Sequence, residues 1–169
     1  MTALLGTLVG YNAWANKDLL DTLATVDPVA HDAELNTAIR LVNHYHVVAR
    51  IFAGHLSGRP HGLAGTNTAG TPALDDLRAS TLVCDDWYLD YVRLLSPAAA
   101  AEQVAFTFTD GDKGFMSREE MVTHVTLHGR YHRGEVGQIL KKLKVPLPWD
   151  TFAVFLHQSQ PTRRLQGVA

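Results

Sequence analysis

The sequence predicts an all-α fold: a four-helix bundle with a crossover connection and a short β-hairpin before the fourth long helix. Three observations predict it. Apolar residues recur at three- and four-residue spacing through four long segments. Stretches rich in Gly, Pro, Ser and Thr separate those segments. One short stretch around Asp110-Gly111 alternates apolar and polar instead, the period of a strand pair.

The first helix opens at Thr2, a hydroxyl N-cap, and carries Leu4, Leu5, Leu8, Tyr11, Ala15, Leu19 and Leu23 on its stripe before Asp27-Pro28 stops it. The second is expected from about Asn36 to Leu56, with Ile39, Val42, His46, Ala49 and Phe52 repeating and Gly58 as its C-terminal stop. Residues 57–70 read as loop. Thr71-Pro72 then restarts a helix, threonine as cap and proline at the first helical position, with Leu74, Leu77, Cys84, Trp87 and Tyr91 on its stripe and Ser96-Pro97 at its end. Phe106-Thr107-Phe108-Thr109, the turn Asp110 to Gly114, and Phe115-Met116 form the hairpin.

Ser117-Arg118-Glu119-Glu120 is a capping box, the strongest helix start in the chain. The fourth long helix runs from there to about Lys144, with Lys141, Lys142 and Lys144 at the negative end of its dipole, and Pro146 and Pro148 end it. A last short helix begins near Asp150. Residues 1–160 are expected to form one domain and 161–169 a loose tail. Helices of roughly 20 residues are about 30 Å long, which suits a bundle, and the link between the second and third is too long for a minimal up-down hairpin.

Composition narrows the function. Lys plus Arg number 15 and Asp plus Glu 17, for a net charge of −2 with no basic block, so a nucleic-acid surface is not expected. No run of about 18 apolar residues offers a membrane span, and the apolar start lacks the basic flank of a signal peptide. A lone cysteine, Cys84, excludes a disulfide framework and cysteine-rich zinc motifs, and reads as an inert buried thiol. These features together predict a cytoplasmic protein. Trp14, Trp87 and Tyr91 are expected in the core, and Arg133 beside a carboxylate at the bundle edge.

Nine histidines are spread along the chain, and the informative ones are His124, His128 and His132 on the fourth long helix. Each four-residue step turns a helix by about 400°, which brings the side chain back to nearly the same face with Cβ atoms about 5–6 Å apart. Two imidazoles so placed can grip one ion, as in H-E-x-x-H, but no glutamate follows either histidine, so the metalloprotease reading fails. The sequence holds no Glu-x-x-His either, which excludes a ferritin-like di-iron site. A third ligand would have to come from another helix. His44 and His46 on the second helix point about 200° apart, so one of them faces the bundle interior, and spacing does not choose between them.

The elements Tyr11-Asn12-Ala13-Trp14-Ala15-Asn16, Leu41-Val42-Asn43-His44 and His128-Gly129-Arg130-Tyr131-His132-Arg133-Gly134 resemble the DinB family of DinB/YfiT-like metalloenzymes, over about residues 3 to 157. The resemblance implies a four-helix bundle, a homodimer, and one divalent transition metal, nickel or zinc, held by His44, His128 and His132. Some members of the wider superfamily are thiol-dependent S-transferases or isomerases using mycothiol or bacillithiol, so a low-molecular-weight thiol cofactor and a small-molecule substrate are implied as well. The residue after Arg133-Gly134 is commonly glutamine in the family and is Glu135 here. One turn past His132, Glu135 can orient a ligand, act as a base, or simply be solvated.

Three neutral imidazoles leave a bound ion its full charge and an open position, which lowers the pKa of bound water and can polarise a carbonyl or activate a thiolate. A hydrolase or a thiol S-transferase is therefore expected. The rival reading is a non-catalytic metal-binding module of the stress response, with a structural ion.

Overall fold

A computed structural model describes residues 2–164 of the 169. The Thr2 side chain, expected as an N-cap, and tail residues 165–169 lie outside the described residues. The elements are α1 (Thr2–Leu23), α2 (Asp32–Ser57), α3 (Leu74–Leu94), the one-turn α4 (Pro97–Ala100), β1 (Gln103–Thr107), β2 (Lys113–Ser117), α5 (Arg118–Lys142) and α6 (Phe152–Ser159). A 3₁₀ turn follows at Pro161–Arg163, where the sequence reading placed loose tail. None of these helices is long and apolar enough to cross a membrane.

The local signals act largely where they occur. Gly58 ends α2 at φ 66, a left-handed conformation open to glycine at no steric cost. The capping box closes at the start of α5: the Glu120 amide donates to Ser117 Oγ (3.2 Å) and the Ser117 amide to Glu120 Oε2 (2.6 Å). Strands β1 and β2 pair antiparallel, Gln103 opposite Ser117 and Ala105 opposite Phe115, so the hairpin feeds straight into α5.

Helix α3 departs from expectation. It begins at Leu74 after an extended Ala73 with no side-chain cap, not at the Thr71-Pro72 pair. The reason is tertiary: Arg40 on α2 donates to the carbonyls of Thr68 and Gly70, tying the loop to α2 up to residue 70. Ser96-Pro97, expected as a stop, instead starts α4, the Ser96 hydroxyl accepting from the Ala99 amide and the proline occupying the first turn.

Helix α1 packs against α3 and α5, and α2 packs against α5 and α3. The consecutive helices α1 and α2 therefore lie across the bundle diagonal, as do α3 and α5. The long 58–73 loop joins the neighbours α2 and α3 and lies against α2.

Two apolar clusters fill the bundle. One gathers Val9, Phe52, Tyr88, Phe106, Met121 and Val122 near the hairpin; the other gathers Leu20, Leu23, Val42, Leu77, Val136 and Leu140 at the opposite end. Of the α3 aromatics it is Tyr88 that enters the core, donating to the Ala49 carbonyl (2.7 Å), while Trp87 and Tyr91 stack half-buried beside it. Trp14 is also half-buried, against Phe155 of α6. Burial pushes the Cys84 thiol up to about 12, which keeps it protonated and unreactive at neutral pH.

A polar layer separates the two clusters. Arg133, 3% exposed, donates through Nη1 to Asn12 Oδ1 (2.7 Å) and Asn16 Oδ1 (2.8 Å), and through Nε to Asp150 Oδ2 (3.0 Å). The Asn16 amide passes the chain of bonds on to Asp85, at 3.0 and 3.1 Å. Arg133 thus meets a carboxylate as expected, from a guanidinium buried between the helices to the part-buried Asp150 in the segment before α6. Gly129 permits this approach: a Cβ there would stand 3.0 Å from Asn12 Oδ1 and 3.1 Å from Arg133 Nη1.

Candidate metal centre

Neighbouring faces of α2 and α5 carry the three histidines. His128 and His132 stand one turn apart on α5, with ring centroids 4.5 Å apart. His44 of α2 meets both, at 5.0 Å from His128 and 4.6 Å from His132. One ligand nitrogen from each of the three falls within 4.8 Å of the other two, and all three rings are half-buried. Among the described residues no other cluster of three or more His, Cys, Asp or Glu is arranged in this way.

His46, the alternative on α2, turns the other way. It is buried against α3, where its Nε2 lies 2.8 Å from Ser80 Oγ, and burial pushes its pKa down to about 4. His124 sits one turn before His128 and stacks on it at 5.4 Å with 21° between the rings, outside the three-membered group. His55 and His61 pair at 5.3 Å further along α2 and its following loop.

Two of the three rings are held by acceptors on their outer nitrogens. His44 Nδ1 donates to the Thr66 carbonyl (2.7 Å), and His132 Nδ1 donates to Glu135 Oε2 (2.6 Å). Each such bond places the proton on Nδ1 and turns the lone pair of Nε2 toward the cluster, the tautomer a metal requires. His132 Nε2 and His128 Nε2 lie 3.1 Å apart. Burial, aided by the neighbouring His132, His44 and His124, pushes His128 down to about 4, so it is neutral at pH 7 and also offers a lone pair. Three converging nitrogen donors of this kind fit a divalent transition metal.

The 58–73 loop contributes through its backbone. Asn43, beside His44, donates to the side chains of Asn67 and Thr68, and Asn67 Nδ2 donates to the Arg40 carbonyl (3.1 Å). These bonds hold the carbonyl of Thr66 over His44. Sequence reasoning missed Thr66, because a carbonyl carries no residue-type signal. It expected a carboxylate for Arg133 but missed Asn12 and Asn16 as its partners, for which two asparagines four apart on the apolar stripe of α1 were the available sign.

A cavity of about 190 Å³ adjoins the cluster, bounded by His44 and His128 at one end and by Phe52, Phe106 and Phe108 along its side. A wider open groove of about 670 Å³ runs over Leu4, Leu8, Phe115 and Leu127 on the outer surface and includes none of the three histidines.

Comparisons with curated proteins and with solved structures each return no match. The model of the DinB family matches residues 1–164. With nearly the whole chain matched and its helical bundle built as described, this protein belongs to the DinB family.

Proposed function

We propose that this chain is a metalloenzyme of the DinB family in which His44, His128 and His132 hold one divalent transition metal, nickel or zinc, and act on a small molecule by hydrolysis or by transfer to a thiol cofactor. The observation that carries the reading is the convergence of three imidazoles, two of them with protons drawn outward by the Thr66 carbonyl and Glu135. A divalent ion on three neutral ligands supplies an electrophile with an open position, able to acidify a water or thiol and to polarise a carbonyl.

The chain's own residues supply the rest. Thr66 and Glu135 fix ring tautomers and orientation, as outer partners of ligand histidines do. Phe52 and Phe106, both buried, exclude water from one side of the cavity, which strengthens electrostatic interactions within it. The cavity also favours catalysis over a structural ion. Structural sites close all four positions with protein ligands, whereas no fourth His, Cys, Asp or Glu joins this cluster among the described residues.

Metal analysis of the purified protein and of His128→Ala tests the assignment. One equivalent per chain is expected in the wild type and a large loss in the variant, with circular dichroism showing the helices intact. Full occupancy in His128→Ala would sink it.

A further inference from the structure

The cavity beside the three histidines has walls that metal binding does not need. At about 190 Å³ it is smaller than the roughly 300 Å³ at which sites for drug-sized ligands begin. It is slightly larger than the roughly 150 Å³ apolar cavity known to take up benzene. Phe52 and Phe106 lie 5.7 Å apart and Phe106 and Phe108 4.7 Å apart, so three aromatic rings in series form one side. Val48 and Ile51 continue the apolar surface.

No Lys, Arg, Asp or Glu lines this cavity; its polar side chains are histidines and the threonines Thr66 and Thr109. A charge on a ligand would find no counter-charge along the aromatic side, and burying an unmatched charge there is strongly unfavourable. The imidazoles that could meet an anionic group are His44 and His128 at the three-histidine end and His55 and His124 against Phe106 and Phe52. Burial disfavours the charged form of the latter two, so an ion held at the three-histidine end would draw the anion there. The rim is polar and open, since Thr66 and Thr109 are both exposed.

We infer that this cavity is a substrate site for a molecule of single-ring size, aromatic or alicyclic, with one anionic or lone-pair donor group directed at the three-histidine end. The inference rests on the proposed metal centre and narrows its substrate class toward small ring compounds carrying one such group.

The test uses the full chain loaded with cobalt(II), whose visible spectrum reports ligands arriving at the ion, and the probes acetate, benzoate and 2-naphthoate. Benzoate should bind at least tenfold tighter than acetate, and 2-naphthoate no tighter than acetate. Ile51→Trp, which fills the cavity, should abolish the benzoate advantage while acetate still shifts the spectrum. Phe108→Ala, at a side chain already 47% exposed, should reduce that advantage at least threefold without disturbing the fold. Equal binding of acetate and benzoate, equal binding of benzoate and 2-naphthoate, or an advantage that survives both substitutions would overturn the inference. If cobalt does not bind, the metal reading fails and the cavity is judged separately by saturation-transfer NMR with toluene. Binding lost in Ile51→Trp sustains a ring site, and no binding to the wild type overturns it.

Discussion

The imidazoles of His44 and His132 are orientated by acceptors of different kinds, a loop carbonyl and a carboxylate, and the carboxylate can be removed without touching the loop. Glu135→Ala should weaken metal affinity about tenfold, the low end of the roughly 10–100-fold attributed to outer partners of metal ligands, because the Glu135 side chain is 43% exposed and water can replace part of its role. Competition with a chelator for zinc measures this; an unchanged affinity would mark Glu135 as a solvated side chain. Asp85 offers a second test. Burial pushes its carboxyl up to about 6, against the opposing influence of Asn16 and Arg133. The folded chain therefore holds that proton more tightly than the unfolded chain, whose value is near 3.8. The stabilising contribution is complete below the unfolded value and is lost as pH rises through about 6. The difference in melting temperature, Asp85→Asn minus wild type, should climb between about pH 4 and 6.5 and then level off; a difference independent of pH would contradict the assignment.

Helix α5 carries two of the three clustered histidines, and its start is set by local chemistry eleven residues upstream of His128. Ser117→Ala removes the hydroxyl that accepts from the Glu120 amide and should cost about 1 kcal/mol in chemical denaturation, with metal stoichiometry retained. A denaturation midpoint equal to that of the wild type would show that the hairpin, and not the cap, holds the first turn. The hairpin acts on the site by another route: it brings Phe106 and Phe108 against the face of α2 that carries Phe52 and His55. The 58–73 loop has no regular structure, yet its bonds to Arg40 and Asn43 make it a fixed part of the centre.

Across the molecule, the buried Arg133 joins three helices and the segment before α6. Its partners Asn12 and Asn16 come from α1, Asp85 is reached from α3 through Asn16, and Asp150 lies beyond α5. Arg133→Leu would leave the Asp150 carboxylate, only 14% exposed, with the Tyr11 hydroxyl and the more distant Arg130 at 3.8 Å, and would strip the Asn12 and Asn16 side-chain oxygens of their shared donor. Removing one partner of a buried pair costs about 3–5 kcal/mol, so urea denaturation should show a loss of that order. A loss below about 1 kcal/mol would mean that the layer contributes orientation and little stability.

The four long helices, the hairpin and the capping box were legible because each is written in side chains close together along the chain, where a period of 3.6 or 2 reports a buried face directly. The pairing of His128 with His132 was legible for the same reason. The choice of His44 over His46 was legible in the family resemblance but not in spacing: the two differ in direction by about 200°, and the packing of α2 between α3 and α5 sends His46 to Ser80 and His44 to the other two rings. The start of α3, the carbonyl of Thr66 and the seating of Arg133 inside the bundle depend on contacts between distant segments, which no local pattern encodes. Spacing along one helix settles which side chains share a face, and the meeting of faces settles which of them converge.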